Sequence, residues 1–264
     1  MNKIVTLLFV SLILLSSCGV VPITGRRQVL LVSDQEVLAS SLTQYSDYMK
    51  SAPKSTNAQG KAMVARVGKK IAAATEQYLR ENGMASELSN FAWEFNLVKD
   101  NQLNAFCMPG GKIVVYEGLL KLVSSDDELA VVIGHEVAHA VAKHSNERLS
   151  QQLMTQYGAQ ILTQALSQKS AAIQQAGAAI YGLGAQYGVQ LPFSRKHETE
   201  ADYMGLIFMT MAGYNPNVAI TFWQKMSAGG SSSVPEFMST HPSDATRIND
   251  IKKYLPKLEQ YKKK

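Results

Sequence analysis

Apolar and polar positions change their period along the 264-residue chain, and the changes mark its elements. Ser33 and Glu36 have capping-box spacing and open a predicted helix that runs to about Lys50. From Ala58 to about Arg80, Val64, Val67, Ile71 and Ala74 recur at helical spacing, and Gly83 ends the run. The period then drops to two: Phe91, Trp93, Phe95 and Leu97 alternate with polar partners, as in a half-buried strand. Strands at Leu103–Met108 and Lys112–Tyr116 are joined by Pro109-Gly110-Gly111, which suits a hairpin turn, so a small antiparallel sheet is expected. Helical spacing returns with Leu129, Val132, Ile133, Val137 and Ala140, in what reads as one helix from Asp126 to Glu147. Ser125 is its N-cap, with Glu128 three residues on and Asp126 and Asp127 in the first turn, where the helix dipole favours acids. Between Leu149 and Gln190 the chain is rich in Gln, Ala, Gly and Ser, which suggests two helices forming a lid or a plain hairpin. A last patterned helix runs from Ser194 to Met211 and stops at Gly213.

Chemistry concentrates on the predicted helix at 126. His135 and His139 are one turn apart, so both imidazoles can share a zinc ion at about 2.0–2.1 Å. Glu136 follows the first histidine, where a carboxylate can act as general base toward water at that metal. A third protein ligand is needed, and Ser194–Asp202 offers several acids. Glu198 and Asp202 share a helix face while Glu200 points elsewhere, so Glu198 as ligand with Asp202 orienting a histidine ranks ahead of Glu200. The strand before the motif, from Asn104, Ala105 and Phe106 to Met108, can hold an extended substrate by strand addition, or can merely pack on the helix.

The start of the chain predicts export. A basic Met1-Asn2-Lys3 precedes an apolar run, Ile4–Leu15, of signal-peptide length, and Leu15-Ser16-Ser17-Cys18 resembles a bacterial lipobox. Residues 1–17 are therefore expected to be a lipoprotein signal peptide, and Cys18 the lipidated attachment to a membrane. Residues 18–57 then hold a tether and first helix, and 58–264 the catalytic domain. With Gly19 after the lipid site, the expected place is the periplasmic face of the outer membrane of a diderm bacterium. Cys107 is left without an intrachain partner and reads as a packing residue. A net charge of +5 without a basic stripe of interleaved aromatics argues against nucleic acid as a partner.

His135-Glu136-x-x-His139, Glu198-x-x-Ala201-Asp202 and His241-Pro242 together resemble the gluzincin metallopeptidases of the CAAX prenyl protease and HtpX family. Thr24-Gly25-Arg26-Arg27-Gln28 and Asn104-Ala105-Phe106-x-x-Pro109-Gly110-Gly111 are similar to its small periplasmic lipoprotein members, of the LoiP and BepA kind. The resemblance implies a mostly helical α+β zincin-type domain with its small antiparallel sheet beside the zinc helix. It implies one Zn2+ on His135, His139 and Glu198, and Glu136 as general base. His241 and Arg247 match a His-x5-Arg near the active site, where the histidine assists oxyanion stabilisation or caps the metal in a latent state and the arginine orients. Implied substrates are unfolded or misassembled envelope proteins. Outer-membrane assembly machinery is a possible partner, although the tetratricopeptide repeats that would dock it are not seen. The rival reading is a latent or chaperone-like zinc lipoprotein that holds unfolded outer-membrane proteins with little turnover.

Overall fold

The computed structural model describes residues 18–169, 171, 174–175, 178, 191–228 and 245–262. The expected signal peptide, His241 and most of the glycine-rich second half of the 149–190 stretch lie outside these. In chain order the elements are β1 (Cys18–Val20), β2 (Arg27–Val29), α1 (Asp34–Ser51), α2 (Ala58–Glu81), β3 (Glu94–Val98), β4 (Ala105–Met108) and β5 (Lys112–Tyr116). They continue with α3 (Glu117–Leu120), α4 (Asp126–Val141), α5 (His144–Leu166), α6 (Leu191–Met211), α7 (Val218–Ala228) and α8 (Ala245–Tyr254). No helix among the described residues is long and apolar enough to cross a membrane. The chain divides into two compact units, one made of the residues up to Glu36 with Lys143–His197, the other of Val37–Ala142 with Glu198–Lys264.

In the first unit the stretch expected as a tether is folded. β1 and β2 form an antiparallel ribbon with Cys18 opposite Val29. Arg26 explains why: its Nη1 and Nη2 each donate to the Glu147 carboxylate at 2.7 Å. The same carboxylate meets His197 Nε2 at 2.8 Å, and His144 stacks on His197 with ring centroids 4.2 Å apart. Burying these charges is tolerable only because they are paired and hydrogen-bonded. Burial alone would raise the Glu147 carboxyl, but His197 and Arg26 overcome it and hold the group down at about 2. The Ser33–Glu36 capping box forms as expected, with Ser33 N–H donating to Glu36 at 3.1 Å and Glu36 N–H to Ser33 Oγ at 3.3 Å. The single helix expected from Asp126 to Glu147 is interrupted: α4 ends at Val141, and α5 begins at His144. Between them Lys143 turns left-handed at φ 57°, its Nζ held by Asp34 at 2.6 Å.

In the second unit the sheet is mixed rather than antiparallel. Its order is β3-β5-β4, with β5 antiparallel to β4 and parallel to β3. Gly110 (φ 99°) and Gly111 (φ 76°) fold β5 back onto β4 through a turn that a side chain would strain. The 99–104 connection carries β4 past the place beside β3, and β5 fills it, running in the same direction as β3. β5 is buried along its whole length, and β4 is an outer strand.

α4 is buried on nearly every side: Leu129, Ala130, Val132, Ile133, Val137 and Ala138 have no exposed surface. The single stripe expected from sequence is therefore too narrow. Its start is capped as expected at Ser125, whose Oγ accepts from Glu128 N–H at 3.2 Å. The Glu128 carboxylate reaches one residue further back, taking Ser124 N–H at 2.7 Å. α6 crosses α4 backbone to backbone. A Cβ on Gly134 would lie 2.8 Å from the Gly205 carbonyl oxygen, and one on Gly205 would lie 2.7 Å from the His135 nitrogen. Two glycines facing each other permit this approach, and nothing larger fits.

Two predictions follow from this packing. Gly205→Ala gains helix propensity but drives a methyl into backbone that cannot swing aside, so it should cost about 1–3 kcal/mol. Thermal unfolding of the metal-free protein would read this, and an unchanged or raised Tm would contradict the close contact. For Glu147, folding lowers the carboxyl from 4.5 to about 2, so the native state releases a proton that the unfolded chain keeps. The stabilisation is complete above pH 4.5 and is lost as pH falls toward 2. Denaturant titrations over that window should show a steep loss in the wild type and a shallower one in Glu147→Gln.

Candidate metal centre

α4 presents His135 and His139 one turn apart, 1% and 9% exposed, and α6 brings Glu198 against them. His135 Nε2 is 3.0 Å from His139 Nε2 and 3.3 Å from Glu198 Oε2, and His139 Nε2 is 3.4 Å from Glu198 Oε1. Donors about 2.0–2.2 Å from one tetrahedral zinc ion stand about 3.3–3.6 Å from each other; both imidazole–carboxylate pairs match this, and the two imidazole nitrogens are a few tenths of an ångström closer. Among the described residues these three form the group of donors able to hold a metal, all within 4.8 Å of one another. Two imidazoles and one carboxylate are a zinc donor set. Glu136, next along the same buried turn, is 3% exposed.

A charged frame orients the triad. His135 Nδ1 lies 2.9 Å from Asp202 Oδ1, which fixes the tautomer and leaves Nε2 as the metal donor. Asp202 is gripped in turn by Arg247, through Nε and Nη2 at 2.7 Å each. Burial would raise Asp202, but Arg247 and His135 overcome it and keep the carboxyl below its usual range. Burial likewise opposes charge on His135, yet hydrogen bonds to Asp202 and Glu198 lift it to about 9. The centre thus favours positive charge where the three donors converge. Arg247 also lies over the indole of Trp223, 3.7 Å from its centroid, and the same indole meets His135 edge-on at 5.7 Å.

The other residues singled out by sequence are distributed as follows. Glu200 is buried but outside the donor cluster. Ala105 is buried in β4, and the half-buried Phe106 ring packs edge-on against Tyr48 and Tyr116. Asn104 accepts the Tyr116 N–H with its carbonyl, and the Ala105 N–H with Oδ1. The Cys107 thiol is pushed well up by burial and, second, by the Glu136 carboxylate, which suits a packing residue and not a nucleophile. His144 and His197 are buried around Glu147. Sequence reasoning missed Trp223 and the Arg26–Glu147–His197 cluster. An aromatic in an apolar helix carries no mark of a polar neighbour, and no spacing rule joins Arg26 to Glu147.

Residues 64–255 match the model of Peptidase family M48. Mitochondrial metalloendopeptidase OMA1 of Schizosaccharomyces pombe is 36% identical over 252 residues, which is 90% of this chain and 67% of that protein. The Arabidopsis thaliana protein of the same name is 39% identical over 168 residues, 64% of this chain and 33% of its own length. Beta-barrel assembly-enhancing protease of Escherichia coli is 30% identical over 171 residues, 61% of this chain and 34% of that protein. The chain thus spans from about a third to two thirds of the length of these relatives. These matches correct two expectations. The mitochondrial metalloendopeptidases of Schizosaccharomyces pombe and Arabidopsis thaliana are more similar to this chain than the bacterial assembly-enhancing protease, which is a more distant relative than the resemblance implied. A lipid-anchored place at a bacterial outer membrane is overturned with it. Family and donor set agree on a zinc metallopeptidase domain, and the chain belongs to peptidase family M48.

Proposed function

We propose that this protein is an endopeptidase that hydrolyses peptide bonds in unfolded or misassembled proteins, with Glu136 as its general base. The observation that carries the reading is the convergence of His135, His139 and Glu198 on one buried point beside Glu136. A zinc ion held by these three supplies Lewis acidity, polarising a carbonyl and lowering the pKa of water toward about 7. Glu136 then accepts the proton of the attacking water on its carboxylate and passes it to the leaving nitrogen. Asp202, charged and clamped by Arg247, holds the Nδ1 proton of His135. Arg247 accordingly orients the centre from behind and does not touch the substrate.

The preference for unfolded segments rests on β4. An outer strand can take an extended peptide through main-chain hydrogen bonds, whereas a folded substrate uses those groups internally. Asn104, Ala105 and Phe106 are proposed as that docking edge, where a peptide would replace Asn104 Oδ1 as the partner of the Ala105 N–H while the Asn104 carbonyl stays bonded to the Tyr116 N–H within the sheet. His241 is proposed as the oxyanion partner on its sequence position alone.

Digestion of an unfolded model protein tests the reading. Glu136→Gln should retain zinc while cleavage falls by about 10²–10⁴-fold. If wild type and variant both hold zinc and neither cuts, the protein holds clients without turning them over, and the endopeptidase reading fails. The third ligand is tested separately by metal analysis after dialysis: Glu198→Gln should lose stoichiometric zinc and Glu200→Gln should keep it. The opposite pattern would reassign the ligand.

A further inference from the structure

We propose that Trp223 is a positioning residue of the metal centre, its indole holding the Arg247 guanidinium in the plane that lets it grip Asp202. The inference deepens the zinc reading above and rests on it. Arg247 Cζ lies 3.7 Å from the Trp223 centroid, well inside the range of about 6 Å for a cation over an aromatic face. Trp223 is 1% exposed and the Arg247 side chain 4%, so water does not dilute the contact.

The geometry passes from one plane to the next. A guanidinium donates only in its own plane, so a flat surface beneath it decides where its N–H groups point. Here Nε and Nη2 each reach Asp202, at 2.7 Å, as a two-pronged fork. That fork fixes the rotation of the carboxylate, and its Oδ1 meets His135 Nδ1 at 2.9 Å. The imidazole is fixed in turn, and Nε2 is aimed at the point shared with His139 and Glu198. Trp223 also touches His135 directly, edge to face, with planes at 68°. The indole therefore bears on both ends of the chain of contacts that sets the donor atom. Its neighbour Phe222 is equally enclosed, with no exposed surface, and packs on Trp223 at 5.6 Å. Phe222 fills the core beside the indole and provides the matched comparison.

The test uses the full chain stripped of metal, with W223L, W223F and F222L beside wild type. Zinc affinity is measured by competition with a chromophoric chelator, and each apo protein is checked by thermal unfolding. W223L should weaken zinc binding by about 10–100-fold, while F222L, with a comparable loss in Tm, stays within about threefold of wild type. W223F keeps an aromatic face and should recover most of the affinity. With cobalt in place of zinc, the visible bands should change in W223L and not in F222L. Affinity in W223L equal to that in F222L would overturn the proposal, and so would W223F as weak as W223L. W223M replaces W223L if the leucine variant does not fold. Failure of the wild type itself to bind zinc would sink the metal reading, whereas normal wild-type binding with an indifferent W223L sinks only the role of Trp223.

Discussion

The metal centre depends on the contact between Gly134 and Gly205. Helices packed through side chains keep their axes about 8–10 Å apart, with those side chains filling the space between. A glutamate on one helix can reach two histidines on the other more readily when the backbones touch. The touching residues sit one position before His135 and three after Asp202, close to a full turn. Nearly every other feature of α4 serves the same end. The helix is buried on nearly every side beyond its first turn, and this enclosure leaves His135, Glu136 and His139 in a medium where their electrostatics are strong.

Enclosure raises a problem of charge. Glu136, Glu198 and Asp202 are all buried around the centre, against the fixed positive charge of Arg247. Buried carboxylates without balancing charge either take up protons or destabilise the fold. Three buried acids face one arginine here, and a divalent cation at the three donors offsets part of their charge. The upward shift of His135 is the same imbalance seen from another group, since a proton there makes up part of the missing charge. Metal, arginine and the three acids are therefore one electrostatic unit, and removing any member puts a burden on the rest.

What could be read from the sequence was what is local. The two histidines, Glu136 and the capping serine lie on or at the start of one helix, so 3.6-residue periodicity places them without knowledge of the fold. Glu198 was preferred over Glu200 because it shares a face with Asp202, and both are indeed turned toward the histidines. What failed was non-local. The sheet was expected to be antiparallel throughout, yet β5 lies between β3 and β4 and runs parallel to β3. Residues 19–32 looked like a tether because Pro22, Gly25 and the basic pair Arg26-Arg27 interrupt the stretch, yet it is folded, and a buried ion pair ties Arg26 to Glu147, over a hundred residues on. Lys143 breaks the helix with no proline or glycine to announce it, because Asp34 supplies the reason from outside the helix.

The error about location has a different origin. The catalytic motifs are constraints of geometry: a metal needs its donors at set distances wherever it works. They transfer between compartments without change. Among the described residues Cys107 is a free thiol. An apolar run ending in a cysteine is by contrast a compositional cue carried by a few residues outside the domain. The cue and the domain are read by different machinery, so agreement on the chemistry gives no support to the address. That is why the metallopeptidase reading drawn from His135, His139 and Glu198 stood while the location drawn from the start of the chain did not.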